Sequence, residues 1–153
     1  MKIIRNIIIL IFALILGAFI TSIWNKENEE KTPVKLQQPE FFLIDTPVDS
    51  LVYEACVYYN IHHPEIVVSQ SILETGYYRS EGCKKDNNLF GLYNWRKKEY
   101  YKFSHWTESV KAYRDMIQYR YKDNEDYYHF LDRIGYAEDS LYIQKIKSIN
   151  YVR

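Results

Sequence analysis

The sequence predicts a mostly α domain with one small β element. Three observations carry that reading: apolar residues recur at helical spacing in five separate stretches, Pro and Gly sit where helices start and stop, and only one aromatic-rich stretch reads as a hairpin. The chain has 153 residues, room for one compact domain and little else. It is 47% hydrophobic, which excludes a disordered tail, and five Gly with four Pro exclude a collagen-like or linker-like chain. Twenty basic against 20 acidic side chains leave no surplus for a polyanion, so a nucleic-acid partner is not expected.

At the N-terminus, Lys2 and Arg5 precede an uncharged run of 18 residues from Ile7 to Trp24. That length is near the lower limit for a bilayer span, and the basic start holds the N-terminus in the cytoplasm. Residues 1–24 are therefore read as an uncleaved membrane anchor, with a cleavable signal peptide as the alternative. Either way the remainder is expected outside the cytoplasm, periplasmic or on the cell-wall side. Residues 25–46 are charged, contain Gln and Pro and show no sustained period, so they read as a linker. The domain is expected over 47–153, which carries 15 basic and 15 acidic side chains and all 16 tyrosines.

Thr46 and Pro47 look like an N-cap and first helical residue, followed by Val52, Ala55, Cys56 and Tyr59 on one face. Pro64 and Glu65 open a second helix that reaches Thr75, with Gly76 as its stop. Residues 89–103 suggest the hairpin, turning at Arg96, Lys97, Lys98 and Glu99. Trp106, Val110, Tyr113, Ile117 and Tyr121 trace a long helix. Another carries Tyr127, Phe130, Leu131 and Ile134 before Gly135, and a last one carries Tyr142, Ile146 and Ile149.

Two cysteines, Cys56 and Cys83, lie on the exported side and form a candidate disulfide, the alternative being two buried free thiols. Four scattered histidines, with His62 and His63 adjacent, have no metal-ligand spacing, and neither metal nor cofactor is expected.

The second helix carries the chemistry. At 100° per residue, Ile66, Val67, Val68, Ile72 and Leu73 occupy most of its circumference, leaving a stripe of Gln70, Ser71 and Glu74. Glu74 falls at the C-terminal end, where the helix dipole disfavours a negative charge. Partial burial pushes its pKa the same way, upward. A carboxyl group that keeps its proton near neutral pH suits general-acid cleavage of a glycosidic bond. From the residues alone, this is a cleft-lining carboxylate with no assigned reaction.

Three blocks give it one. Gln70-Ser71-Ile72-Leu73-Glu74-Thr75-Gly76, Asn87-Asn88-Leu89-Phe90-Gly91-Leu92-Tyr93 and Gly135-Tyr136-Ala137-Glu138-Asp139, the last followed by Tyr142 and Lys145, resemble the bacterial glucosaminidase family of lysozyme-like peptidoglycan hydrolases. The resemblance implies an α+β lysozyme-like fold, a helical core with a short β-hairpin lobe beside the cleft. It also implies an endo-β-N-acetylglucosaminidase acting between N-acetylglucosamine and N-acetylmuramic acid. Glu74 matches the catalytic acid, Tyr136 a tyrosine beside the reacting sugar, and Glu99 is the nearest match to a second acidic residue on the hairpin. Gln70, Asn88, Phe90, Gly91, Tyr93 and Trp95 are the expected substrate-binding residues. Glu99 lies in a Lys-rich turn, and the sugar's own 2-acetamido group is the alternative nucleophile. The implied partners are peptidoglycan glycan strands and, through residues 7–24, a membrane; no protein partner is identified. A muramidase, a lytic transglycosylase, an inactive glycan-binding module and a partner-docking domain remain alternatives.

Overall fold

The computed structural model describes residues 15–23, 38–149 and 151–152. The chain divides into two units, Met1–Gln37 and Gln38–Arg153. In the first, residues 15–23 are helical, with Ile15, Leu16, Phe19, Ile20 and Ile23 exposed. The rest of the apolar run, 7–14 with Trp24, lies outside the described residues, as do linker residues 25–37. No helix of the described residues is long and apolar enough to cross a membrane.

The second unit runs through α1 (Asp49–Tyr58), α2 (Pro64–Thr75), α3 (Glu81–Asp86), β1 (Tyr93–Asn94), β2 (Glu99–Tyr100), α4 (Trp106–Met116), α5 (Tyr127–Arg133) and α6 (Tyr142–Ile149). Single 3-10 turns cover Glu40–Phe42 and Gln118–Arg120. β1 and β2 pair antiparallel with Tyr93 opposite Tyr100 and Asn94 opposite Glu99, and they form the only sheet among the described residues. The mostly α class with one short hairpin is therefore the observed architecture.

α2 lies between α1 and α6. Its residues Val67, Val68, Ser69, Gln70, Ser71, Ile72 and Thr75 are all buried, which is why it was apolar around most of its circumference. Burying Val67, Val68 and Ile72 stabilises the fold by roughly 1.5–3 kcal/mol each. Trp106, Val110, Tyr113, Phe130, Leu131 and Ile146 complete the interior from α4, α5 and α6.

Several expected boundaries move. Helix α1 starts at Asp49, because Val48 is still extended (φ −135°), so Thr46 and Pro47 precede the helix without capping it. The helix from Trp106 stops at Met116, five residues before Tyr121. Gln118 turns inward there: its Oε1 accepts from the His62 amide at 2.8 Å and its Nε2 donates to the Asn60 carbonyl at 3.0 Å. Those bonds hold Gln118 out of helical register. Residues 38–46, read as the end of the linker, pack on the unit instead. Phe41 is buried, and the Ile44 carbonyl accepts from the Trp106 indole at 2.7 Å. Helix α3 is additional to the expected elements; Ser80 caps it by accepting from the Cys83 amide.

The candidate disulfide is absent. Cys56 on α1 and Cys83 on α3 are separate buried free thiols. Each is enclosed in its own packing, and burial pushes both thiols above the ordinary cysteine range.

Candidate active site

Four chain segments converge on Glu74. The first is the end of α2 itself, stopped by Gly76, whose left-handed backbone lets its amide donate to the carbonyls of Ile72 and Leu73. Gly76 is followed by two further left-handed residues, Tyr77 (φ 59°) and Tyr78 (φ 59°). That conformation costs roughly 1–2 kcal/mol per non-glycine residue. It is held by the Tyr77 amide on the Ile72 carbonyl (2.9 Å), the Tyr78 amide on Thr75 Oγ1 (2.8 Å) and the Tyr78 hydroxyl on Ser71 Oγ (3.1 Å). The turn leaves Tyr77 exposed three residues after Glu74.

The second segment is the turn from Asn88 to Leu92. Asn88 is buried, and its side chain is fully used in bracing this turn. Its Nδ2 donates to the carbonyls of Leu92 (2.9 Å) and Tyr101 (3.0 Å), while its Oδ1 accepts from the Leu92 amide (2.9 Å). Asn88 thus braces the turn from inside the protein. Phe90 is also buried, its ring 4.6 Å from that of Tyr113. Gly91 is the exposed residue of the turn, at φ +60°, and its missing Cβ would stand 3.8 Å from Glu74 Oε2. That distance is ordinary contact, so glycine is needed for the backbone angle more than for room.

The third segment follows α5. After Gly135, Tyr136 turns back to donate its hydroxyl to the Phe90 carbonyl at 3.3 Å. Its ring lies 5.5 Å from that of Tyr142 and 6.1 Å from that of Tyr113. Burial and the neighbouring Glu74 charge both push the phenol well above its ordinary pKa, so Tyr136 acts as a neutral donor.

The fourth is the start of α6. Asp139 receives the Leu141 amide at 2.9 Å and pairs with Lys145, which fixes the first turn of the helix. Tyr142 then donates its hydroxyl to Glu74 Oε1 at 2.8 Å. Behind it, Gln70 Nε2 donates to the Tyr142 hydroxyl (3.2 Å) and Gln70 Oε1 accepts from the Tyr113 hydroxyl (2.8 Å). Gln70 is 0% exposed, so the expected substrate contact is corrected: both ends of its amide are spent inside the protein.

Glu74 as a residue opens to solvent, while its carboxyl end is set among these groups. Burial of that end raises its pKa above the ordinary glutamate value, and the Tyr142 hydrogen bond offsets part of the rise. The site therefore holds a carboxyl group that can release and regain a proton, faced by a neutral phenol and floored by a glycine turn.

The hairpin carries the remaining expected residues. The Tyr93 ring meets Trp95 edge-on at 4.8 Å and Tyr100 at 5.1 Å. Trp95 is 82% exposed, an open apolar face. Glu99 is exposed on β2 and lines a shallow hollow with Lys97 and Lys102, so it is not among the groups gathered on Glu74. Among the described residues, no three His, Cys, Asp or Glu side chains are grouped to hold a metal ion.

Tyr142 and Tyr113 are the site-forming residues that the motif reading passed over. Tyr142 followed the third block without a role, and Tyr113 was one position of a helical face, indistinguishable from core.

Comparison with known proteins finds a matching family model and matching solved structures. The glucosaminidase family model, described as mannosyl-glycoprotein endo-beta-N-acetylglucosaminidase, matches residues 50–151. Among solved structures, the chain is similar to the catalytic domain of the autolysin Auto from Listeria monocytogenes, at 20% identity over 82% of this chain and 91% of that one, with a TM-score of 0.48. No curated protein sequence matches significantly.

Proposed function

The chain belongs to the glucosaminidase family, and from that premise we propose that it is an exported peptidoglycan hydrolase with Glu74 as its general acid. The proposed bond is the β-1,4 link from N-acetylglucosamine to N-acetylmuramic acid. The observation that carries the reading is the Glu74 carboxyl: its pKa is raised by burial, yet it belongs to a residue open to solvent.

In the proposed reaction, Glu74 protonates the glycosidic oxygen as the bond to the anomeric carbon breaks. With Glu99 away among lysines, the sugar's own 2-acetamido oxygen attacks that carbon and forms a cyclic oxazolinium intermediate. Water then opens the ring, giving its proton to the Glu74 carboxylate and regenerating the acid. We assign the Tyr136 hydroxyl oxygen, whose proton goes to the Phe90 carbonyl, the role of accepting from the acetamido N–H and so orienting that group. Trp95 and Tyr93 offer ring faces on which sugars can stack. We place residues 7–24 as the membrane anchor and the unit beginning at Gln38 as the catalytic domain beyond it.

Digestion of purified sacculi by the full chain tests this reading. Soluble fragments with reducing N-acetylglucosamine ends are expected, and Glu74→Gln should release none. Reducing muramic acid ends would reassign the enzyme as a muramidase, and anhydro-muramic ends as a lytic transglycosylase. Binding to sacculi with no fragments released would make it a glycan-binding module.

A further inference from the structure

Helix α2 was expected to turn Gln70 toward the cleft together with Glu74. It turns inward instead, and joins a hydrogen-bond chain whose direction is set at every link. The Tyr113 hydroxyl donates to Gln70 Oε1, Gln70 Nε2 donates to the Tyr142 oxygen, and the Tyr142 hydroxyl donates to Glu74 Oε1. An amide has one accepting and one donating end, so Gln70 fixes the sense in which the chain runs.

We propose that Gln70 and Tyr113 are positioning residues that decide which oxygen of Glu74 carries its acid proton. This deepens the general-acid reading above and rests on it. Because the Tyr142 oxygen already receives the Gln70 N–H, its own proton turns to Glu74 Oε1. An oxygen accepting that bond is not the one that holds the proton, which resides on Oε2, the oxygen beside Gly91 on the cleft side.

If the Gln70 amide turned end for end, Tyr142 would donate to Gln70. It could then only accept from Glu74, and the acid proton would be drawn to Oε1, away from the cleft. Tyr113 prevents this. Among the described residues its hydroxyl touches only Gln70 Oε1 and the Tyr127 hydroxyl, 3.1 Å away. With Tyr113 donating to Gln70, Tyr127 is left to donate to Tyr113, so each phenol proton of the chain has an acceptor. In the reversed sense one buried phenol proton has none, and a buried donor without an acceptor is unfavourable.

Tyr113→Phe and Tyr127→Phe separate this role from a structural one. Each removes one buried hydroxyl and one or two hydrogen bonds. Without the Tyr127 hydroxyl, Tyr113 still has a proton to place and Gln70 Oε1 to receive it, so the chain keeps its sense. Without the Tyr113 hydroxyl, both orientations of Gln70 leave one amide end unmet, and the preference is lost.

The first readout needs no substrate. The Glu74 carboxyl is titrated by 13C NMR in the full chain labelled at glutamate. The titratable groups facing it are Tyr142 from α6 and Tyr136 from the segment after α5, and the Gly91 turn adds none. Tyr142's hydrogen bond favours the ionised carboxylate, so weakening it in Tyr113→Phe should raise the titration midpoint. Tyr127→Phe should leave the midpoint in place.

The second readout is turnover on sacculi. Tyr113→Phe should lower kcat about ten-fold with KM unchanged, a fraction of the roughly 10²–10⁴ that a general acid contributes. Tyr127→Phe should stay within about two-fold of the parent enzyme. Equal midpoints and equal kcat for the two variants would overturn the proposal. An inactive parent chain would overturn the hydrolase reading instead, and the NMR midpoints would still decide whether the chain is directed.

Discussion

Tyr142 reaches Glu74 across 68 residues of sequence, donating its hydroxyl to Oε1 at 2.8 Å from the first residue of α6. Burial lifts the carboxyl's pKa, and this bond pulls it partly back. The two influences act in opposite directions on the group that the proposed reaction uses as its acid.

Tyr142→Phe should expose that balance. Loss of the donor removes the lowering influence, so the Glu74 pKa rises further and activity persists to higher pH on its alkaline limb. At the same time Gln70 Nε2 loses its acceptor in a fully buried place, which costs about 1–3 kcal/mol of stability. A pH–rate profile on sacculi and a thermal melt at pH 7 check the two effects. A profile that moves toward lower pH would contradict the role assigned to Tyr142.

The raised Glu74 pKa also links the site to stability. The folded state holds this proton more tightly than the unfolded chain, so the protonated group stabilises the fold at low pH. That contribution is fully present below the unfolded glutamate value and is lost as pH rises through the folded one. Glu74→Gln, neutral at every pH, should therefore melt higher than the parent at pH 8 and no higher at pH 4. Calorimetry at the two pH values checks this, and a variant less stable at pH 8 would show that Glu74 is not held against a desolvation cost.

How much of this was legible in the sequence follows from what each signal depends on. Helix α2 and its end at Glu74 were legible because burial on several sides leaves an apolar circumference, and Pro64 and Gly76 mark its ends. Gln70 was misread because a helical wheel shows that it shares a stripe with Glu74 and says nothing about what faces the stripe. Around Gln70 that neighbour is a set of buried phenols, not solvent. The end of α4 was illegible for a related reason. It is set by the Gln118 side chain meeting Asn60 and His62, 58 and 56 residues away, which no local period records. Helix α3 is six mostly polar residues, too short to show a period at all.

Gly91 should be intolerant of a side chain for a backbone reason. A Cβ at 3.8 Å from Glu74 Oε2 is not a clash, whereas φ +60° costs roughly 1–2 kcal/mol for alanine. Gly91→Asn, a residue that visits this region more readily, should lose less stability than Gly91→Ala. Denaturant unfolding of the two variants measures the difference. Equal losses would mean that contact with the carboxyl group, and not the turn, dictates glycine here.

The two cysteines give a test that is independent of any activity. Cys56 and Cys83 are buried free thiols, with pKa values raised by desolvation, and both features slow reaction with a thiol reagent. Native protein should therefore react slowly, and protein unfolded without reductant should titrate two thiols at once. Cys56 is 0% exposed inside the core, so Cys56→Ser should destabilise by placing a hydroxyl there, whereas Cys56→Ala loses only the sulfur's packing and should cost less. Cys83 lines an open cavity of about 590 Å³ with Tyr78 and Asn87, so Cys83→Ser should be the milder of the two serine changes. Finding no free thiol after unfolding would instead establish the bridge that the exported location led one to expect.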